Sequence, residues 1–429
     1  MVTSLIITGI TCLVLILSIL FFPKIKIKNF EINTYVIVSL IGAITMLCFN
    51  IIPFDELKDK LLSNTSVNPL KILILFFSMT IISIALDEVG FFKYLALKSL
   101  GLAKSNQYVL FLSIYAFASI LTIFTSNDIV ILTFIPFICY FCKNSKINPI
   151  PYLIGCFVGA NTWSMMLIIG NPTNIYLGTS YNISFLEYLK VMSLPTIVAG
   201  LTELLLILII FRKSLKVKME VEIIDNPTIE SKYHLIIGLI HLIVCLIFLV
   251  ISSYINVEMY LVSLVCALSL IIFNLIYSLV KRKAPIYLVG ALKRLPYELI
   301  IFVLSMFVLV EGLNITGVTS KISELFGNNY GIFKYGYSSF LLCNLINNIP
   351  MSVLYASIPN LTIGEVYASI IGSNLGAILT PIGALAGIMF TSLLSKYNIK
   401  FTFIEFIKYG ILLSIPTITS CLLTLNILM

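Results

Sequence analysis

The sequence predicts an all-α polytopic membrane protein of two inverted repeats, each with five spans, a re-entrant hairpin and a broken helix. Of the 429 residues, 59% are hydrophobic and only 11% are charged, whereas a soluble domain carries roughly 25% charged residues. Apolar runs of about 20 residues, the length that a membrane-crossing helix needs, recur along the chain. Short patterns also recur between the two halves. The composition therefore excludes a soluble globular domain and indicates a single membrane domain.

The internal repeat is predicted from four patterns that occur in the same order in both halves. They pair Ser39 to Asn50 with Ser263 to Asn274, Ser78-Met79 and Gly90 with Ser305-Met306 and Gly317, Asn127 with Asn347, and Gly159-Ala-Asn161 and Gly170 with Gly372-Ser-Asn374 and Gly383. An odd number of spans in each half makes the second half run antiparallel to the first. Inverted repeats of this kind hold their binding site near the membrane midplane, at discontinuous helices.

The first repeat is predicted over residues 1–230, ending in a cytoplasmic linker, and the second over residues 231–429. The predicted spans are 3–22, 35–53, 70–87, 150–178 and 187–211 in the first repeat, and 233–254, 258–280, 297–313, 365–392 and 405–428 in the second. No charged residue precedes Phe22 and lysines follow it, so the first span is interpreted as a retained span and not as a signal peptide.

A re-entrant hairpin is predicted before the fourth span of each repeat, at residues 107–142 and 333–360. Each has two apolar arms, expected to be too short to span, that are joined by a polar tip, Asn127-Asp128 in one half and Asn347-Asn348 in the other. Irregular backbone is tolerated at membrane depth only where protein or water satisfies its polar groups. The backbone groups of the hairpins are therefore expected to be satisfied by protein or by water.

The distribution of basic residues orients this topology. Predicted loops on one side of the membrane hold 21 of the 27 lysines and arginines; the other six are Lys58, Lys60, Lys71, Lys190, Lys321 and Lys334. Cytoplasmic loops carry the excess of positive charge. Both termini are thus predicted to lie outside, in a multi-pass protein of the inner (plasma) membrane, and the net charge of +8 reflects topology and not nucleic-acid binding.

Both broken helices, 150–178 and 365–392, carry glycine, proline and small polar residues where an apolar helix would continue. Proline and glycine interrupt the hydrogen-bond ladder, so helix ends can face a cavity, and asparagine and threonine add neutral donors and acceptors. For either segment taken alone, the alternative to a binding site is a proline kink in which small residues allow tight helix packing. The residues predicted to contact a substrate are Ser126, Asn127, Asn161, Thr162, Asn171, Thr173, Asn174, Asn347, Asn348, Ser373, Asn374 and Thr380.

Asp128 is predicted to bind a coupling proton, because intramembrane acids are functional candidates by default. Its counterpart in the second half is the neutral Asn348, so only one tip carries a titratable group. A carboxylate satisfied by the N–H groups of the hairpin is the alternative. Four other acids near span ends are expected to face solvent; they are Asp87, Glu88, Glu203 and Glu311.

No metal site, cofactor or catalytic residue is predicted. The nine cysteines are scattered, and Cys139 and Cys142 are interpreted as packing residues, with a thiol site as the weaker alternative. No Gly-x-x-x-x-Gly-Lys-Ser/Thr loop occurs, so the chain alone is not expected to use nucleotide. The absence of a nucleophile–base pair argues against an enzyme, and two gated halves argue against an open channel. Because neither broken-helix motif contains arginine or lysine, a neutral polar solute or a hydrated cation fits more easily than a dianion.

Four segments match motifs of a known family, and they are Leu86-Asp-Glu-Val-Gly-Phe-Phe92, Asn127-Asp128, Asn347-Asn348-Ile-Pro350 and Leu375-Gly376 to Leu379-Thr380-Pro381-Ile-Gly383. Through them, and over nearly its whole length, the chain resembles the ion transporter superfamily, and most closely the ArsB-type arsenite/antimonite efflux permeases. The chain departs from the family at Ala384, where the family motif has serine. Gly170-Asn171-Pro172-Thr173-Asn174 looks more like the wider superfamily, which includes carboxylate and sodium/proton transporters.

The resemblance implies proton-driven export of arsenite or antimonite from the cytoplasm by alternating access, sometimes with a separate cytoplasmic ATPase subunit. Arsenite near neutral pH is an uncharged triol, which suits asparagine, threonine and backbone groups. The alternative is a carboxylate or sodium/proton transporter, with sodium as the coupling ion. The predicted partners are therefore a small polar solute, protons or sodium, and the lipid bilayer, without nucleic acid.

Overall fold

Helices form most of the chain that the computed structural model describes, which is residues 1–22, 24–27, 30–65, 68–103, 105–219, 228–326 and 330–429. A small antiparallel hairpin, which the sequence did not predict, follows the first helix and consists of β1 (Lys24–Ile27) and β2 (Phe30–Asn33). Residues 220–227, in the predicted cytoplasmic linker, lie outside the described residues.

The helices of the two halves have the following bounds. In the first half they are α1 (Val2–Phe21), α2 (Thr34–Cys48), α3 (Phe54–Leu62), α4 (Pro69–Glu88), α5 (Phe91–Ala103), α6 (Gln107–Phe124), α7 (Asn127–Asn144), α8 (Ile150–Trp163), α9 (Pro172–Ser180), α10 (Phe185–Ile210) and α11 (Arg212–Leu215). In the second half they are α12 (Lys232–Ile251), α13 (Met259–Lys281), α14 (Ile286–Lys293), α15 (Glu298–Ile315), α16 (Val318–Phe326), α17 (Gly331–Ile346), α18 (Asn348–Ala356), α19 (Ile363–Gly376), α20 (Leu385–Lys396) and α21 (Phe403–Leu428).

Eight stretches of the described helices are long and apolar enough to cross a membrane. Seven coincide with predicted spans, and they are α1, α4, α10, α12, α13, α15 together with α14, and α21. The span predicted at 35–53 corresponds to α2, which has only 15 residues. The two remaining predicted spans are the broken helices. The chain is therefore a multi-pass, all-α membrane protein, as predicted.

The eighth stretch is α6, the first arm of the first hairpin. This helix has 18 residues, or about 27 Å at 1.5 Å per residue. The expectation that both arms of each hairpin are too short to span is therefore wrong for α6. In the second hairpin α17 has 16 residues and α18 has 9. The second hairpin is shorter because its second arm already ends at Ala356.

The two broken helices are interrupted within their predicted ranges. Two 3₁₀ turns, Ser164–Met166 and Ile168–Gly170, separate α8 from α9, and residues 377–384 separate α19 from α20. Asn171 caps α9, since its Oδ1 accepts the backbone N–H of Thr173 at 3.2 Å. Pro172 then occupies the first turn, where a missing N–H costs nothing. Local proline and cap chemistry thus places the first break.

Helices of the two halves pack in matching pairs. The first hairpin arm α6 lies against α8 in the first half, and α17 lies against α19 in the second. The second arms pack on the opposite half, because α7 contacts α20 and α18 contacts α9. Matched contacts of this kind support the prediction of two structural repeats. The inverted orientation of the two repeats stays a prediction.

A close backbone approach between a hairpin and a broken helix occurs at Gly372 on α19. A Cβ atom there would clash with the carbonyl oxygen of Gly336 on α17 and with Ser339 Oγ. The clash with Gly336 involves backbone, so no rotamer change relieves it. Glycine at position 372 therefore lets α17 and α19 pack closely, as small residues do between membrane helices.

Gly372→Ala is expected to destabilise the fold, because overpacking costs typically about 1–3 kcal/mol and this contact joins a hairpin to its broken helix. The measurement is the apparent Tm of the detergent-purified protein, followed by size-exclusion fluorescence. The matched control is Gly101→Ala on α5, where a Cβ atom meets nothing within 4 Å and alanine favours the helix. Equal Tm values for both variants would contradict the packing argument.

Candidate functional site

A cavity of about 390 Å³ reaches the tip of the first hairpin. Ser126 and Asp128 line it at the tip, and Arg294 and Tyr297 line it toward the surface, where Tyr297 is 52% exposed. Tyr35, Phe76 and Leu385 are among its other lining residues. The cavity therefore connects the protein surface to the acid and the hydroxyl of the hairpin tip. A second acid, Glu298, and the hydroxyl of Thr80 also line it, and it is large enough for a small solute.

Asp128 lies in the first turn of α7. Among the described residues, no N–H or O–H group donates to its carboxylate, and no lysine, arginine or histidine forms an ion pair with it. The alternative, in which N–H groups of the hairpin donate hydrogen bonds to this carboxylate, is therefore wrong. The carboxylate instead faces the cavity, where it can exchange a proton or meet a ligand.

Asparagines of the two broken helices meet in one buried network, and Asn374 on α19 is its centre. Asn374 Oδ1 accepts from Asn171 Nδ2 at 3.0 Å and from Ser164 Oγ at 3.2 Å, and its Nδ2 donates to Asn174 Oδ1 at 2.7 Å. Thr173 Oγ1 of the first broken helix lies 3.1 Å from Ser373 Oγ of the second. The predicted residues from sequence-distant motifs therefore do come together.

Each hairpin tip is hydrogen-bonded to the broken helix of its own half. In the first half, Asn127 Nδ2 donates to Asn161 Oδ1 at 3.1 Å. In the second, Asn347 Nδ2 donates to the carbonyl oxygen of Ile382 at 3.1 Å. The backbone N–H of Asn348 donates to the carbonyl oxygen of Gly383 at 2.9 Å. These contacts give polar groups of both tips protein partners, while Ser126 and Asp128 of the first tip line the cavity.

Asn347 has a strained backbone, with φ of +72° and ψ of +155°. This region is used almost only by glycine, and it costs other residues about 1–3 kcal/mol. Two side-chain hydrogen bonds hold the conformation: the one to Ile382, and one from the Ile349 N–H to Asn347 Oδ1 at 3.3 Å. Strain held in this way is typical of functional positions.

Comparison with known proteins assigns this architecture to a family. The family model described as citrate transporter (CitMHS) matches residues 29–365, which include both hairpins and the first broken helix. The chain belongs to the CitMHS family.

Relatives of this CitMHS chain include membrane pumps. It is 25% identical over 361 residues to an arsenical pump membrane protein of Escherichia coli, which covers 80% of this chain and 83% of that protein. A protein of the same description from Yersinia enterocolitica is 26% identical over 362 residues, with the same shares. The predicted resemblance to arsenite permeases within the ion transporter superfamily is thereby confirmed.

The fold also matches a solved transporter. The crystal structure of the YdaH transporter of Alcanivorax borkumensis has a TM-score of 0.51 and 13% identity, and the match covers 99% of the CitMHS chain and 97% of that chain. At this identity the match concerns the fold alone. It agrees with the predicted all-α polytopic transporter architecture.

Two of the predicted site residues of the CitMHS chain lie away from the network around Asn374. Thr380 Oγ1 donates to Asn344 Oδ1 at 2.6 Å, beside the second hairpin. Thr162 Oγ1 donates to Glu203 Oε1 at 2.5 Å, on α10. The predicted residues thus divide into the cavity lining, the contacts of the two hairpin tips, the network around Asn374 and these two outlying contacts.

Sequence reasoning missed the ion pairs of Arg294, which it assigned to a cytoplasmic loop. Arg294 Nη2 donates to Asp87 Oδ2 at 2.6 Å and Nη1 donates to Glu88 Oε1 at 2.7 Å. Thr133 Oγ1 on α7 donates to Asp87 Oδ1 at 2.9 Å. Asp87 on α4, with its side chain only 7% exposed, therefore ties Arg294, at the end of α14, to the first hairpin, and the expectation that it faces solvent is wrong.

A second ion pair between the halves joins Lys60 on α3 to Glu311 on α15. Glu311 and Glu203 are both buried, at 6% and 0% exposed, so the expectation of a solvated face is wrong for them too. Glu311 lies 13 residues along α15 from its first residue Glu298, or about 20 Å at 1.5 Å per residue. The Lys60 and Arg294 pairs therefore lie at opposite ends of α15.

Ser164 and Asn344 are the other polar residues that sequence reasoning missed. Ser164 lies two residues after Thr162 of the Asn161-Thr162 motif, and Asn344 precedes the second tip by one helical turn. A search for polar residues within one helical turn of each motif would have found both. No group of three or more histidine, cysteine, aspartate or glutamate side chains with metal-binding geometry occurs in the described part of the chain.

Proposed function

We propose that this CitMHS protein exports arsenite or antimonite from the cytoplasm in exchange for protons, by alternating access between residues 1–230 and residues 231–429. The observation that carries the proposal is the cavity that ends at Ser126 and Asp128, next to Asn127, whose neutral amide is hydrogen-bonded to Asn161 of the first broken helix. An uncharged triol can exchange hydrogen bonds with amides and hydroxyls without bringing a charge into the membrane. Relatives named arsenical pump membrane proteins support this substrate.

In this proposal Asp128 carries the coupling proton and the two broken helices bind the substrate. The cavity gives a solute access to the tip, and Asn127 and Asn161 connect the tip to the first broken helix. The positive-inside rule puts the Arg294 side in the cytoplasm of a cell inner membrane, with both termini outside. A separate ATPase subunit is not required for this cycle.

Alternating access needs contacts between the halves that open in turn on the two sides. The Arg294 pairs with Asp87 and Glu88, and the Lys60 pair with Glu311, join the halves at opposite ends of α15. Lys60 and Arg294 are about one third exposed, so water can reach each pair, whereas the buried carboxylates of Glu311 and Asp87 need a new partner when the pair opens. These pairs support a two-gate cycle.

A carboxylate transporter is the second candidate, and the presence of Arg294 in the cavity lining favours it. Arginine binds carboxylates through paired N–H donors, and the family description names citrate. Against it, Arg294 already donates to both Asp87 and Glu88, so its positive charge is offset within the protein. A di- or tricarboxylate would have to displace these partners.

Everted membrane vesicles that contain this chain distinguish the two candidates. With an imposed proton gradient and no ATP, we expect labelled arsenite to accumulate, and an uncoupler to abolish the accumulation. Vesicles without the chain are the control. Accumulation of labelled citrate but not arsenite, in vesicles shown to hold their gradient, would replace the proposal with the carboxylate function, and a sodium gradient would then be tested as the driving force.

A further inference from the structure

Glu203 on α10 is a fully buried acid that the proposed cycle has not used. Its exposed fraction is 0%, and its Oε1 accepts from Thr162 Oγ1 at 2.5 Å. Its Oε2 is buried and has no hydrogen-bond partner among the described residues. Within that part of the chain, no lysine, arginine or histidine lies at ion-pair distance from it.

The groups that face Glu203 do not supply a compensating charge. Tyr115 on α6 and Cys421 on α21 are the titratable side chains that interact with it electrostatically, and α8 contributes the neutral Thr162. Tyr115 donates its hydroxyl hydrogen to the carbonyl oxygen of Gly200 at 2.9 Å and accepts from Trp163 Nε1 at 3.1 Å. An ionised carboxylate with one hydrogen bond and no counter-ion is strongly disfavoured at this buried position, whereas a protonated one is neutral.

The position of Thr162 links Glu203 to the candidate site. Thr162 directly follows Asn161, which bonds the first hairpin tip, and it lies just before the break between α8 and α9. Glu203 itself is on α10, which packs against α21 of the other half. A movement of the broken helix relative to α10 would therefore separate Thr162 from Glu203 and change the surroundings of the carboxyl.

We propose that Glu203 is a second proton-binding site, separate from Asp128, and that its proton is exchanged when Thr162 moves away during transport. In the present conformation the proton is bound, with Oε2 as the oxygen that carries it. Proton binding follows from the burial and the missing counter-ion alone. Only the coupling of this proton to solute movement rests on the proposed function.

Infrared spectroscopy of the full chain in lipid nanodiscs tests the proton directly, without any solute. We expect a carbonyl stretching band of a buried carboxylic acid near neutral pH that disappears in Glu203→Gln and persists in Asp128→Asn. Thr162→Val should shift this band, because it removes the hydrogen bond to Oε1, and it serves as the second variant if Glu203→Gln does not fold. A spectrum of Glu203→Gln identical to that of the unchanged protein would overturn proton binding at Glu203.

Transport in everted vesicles tests the coupling. In Glu203→Gln we expect arsenite accumulation under a proton gradient to fall to the level reached without one, while exchange of labelled for unlabelled arsenite persists. Accumulation equal to that of the unchanged protein would overturn the coupling role. If the unchanged protein moves no arsenite at all, the proposed function fails, and the infrared result still decides whether Glu203 binds a proton.

Discussion

Asp128→Asn is expected to abolish arsenite accumulation driven by a proton gradient in everted vesicles, while exchange of labelled for unlabelled arsenite continues. Asparagine keeps the shape of the side chain and the polar contacts open to it, but it cannot bind or release a proton. Within the described residues the Asp128 carboxylate has no hydrogen bond or ion pair to lose. The substitution should therefore remove the coupling and leave the fold intact.

The counterpart of Asp128 in the second hairpin supports this choice of variant. Asn348 occupies that position, so a hairpin tip of this chain already accepts an amide there. Asp128→Glu is the matched control, because it keeps a titratable carboxyl and the cavity of about 390 Å³ has room for one methylene. Asp128→Glu should retain gradient-driven accumulation at least in part.

The dependence of exchange on pH gives a second readout. Exchange in the unchanged protein should vary with pH as Asp128 gains and loses its proton, and Asp128→Asn should lose that contribution. Full gradient-driven accumulation by Asp128→Asn would show that another group, Glu203 first among them, carries the coupling proton. The same outcome would leave Asp128 with a role in ligand contact alone.

The elements that the sequence predicted well are those that local chemistry decides. Pro172 and the Asn171 cap determine where α9 begins, and both act within a few residues. The hairpin tips are likewise visible, because asparagines interrupt long apolar runs. Helix length was harder to judge at the first hairpin, since α6 continues to Phe124 through residues with no local stop signal.

Contacts between residues distant in the chain could not be predicted from these patterns. Arg294 and Asp87 are 207 positions apart, and only the packing of α14 on α4 brings them together. Glu203 was expected near the end of the predicted span 187–211, and α10 does end at Ile210, but the packing of α10 turns this residue toward α8 instead of solvent. Depth and facing direction in a membrane bundle are set by neighbouring helices, which a single sequence does not show.

The buried network also differs from the single open site that the motifs suggested. Every amide around Asn374 is already paired with another protein group, and all are at most 2% exposed. A substrate can bind there only if it offers hydrogen bonds in exchange for those between the two broken helices. Substrate binding and separation of the broken helices would then be the same event, which is what an alternating-access site requires.

Asn374→Ala is expected to lower the apparent Tm and to abolish arsenite transport. Alanine removes the only hydrogen-bond partner that Asn171 Nδ2 and Asn174 Oδ1 have among the described residues, and each buried polar group left unpaired costs about 1–3 kcal/mol. The measurements are thermal unfolding of the purified protein and accumulation in everted vesicles. Asn64→Ala, at an exposed position between α3 and α4, is the matched control and should change neither.

The shift in Tm that arsenite produces separates a structural role of Asn374 from a role in binding. A ligand that binds only the folded protein raises the Tm by mass action. If the network binds the substrate, Asn374→Ala loses this shift as well as basal stability. If the network only joins the two broken helices, the basal Tm falls but arsenite still raises it by the usual amount. That second outcome would move the binding site to the cavity beside Ser126 and Asp128, since these two of the predicted residues line it in the present conformation.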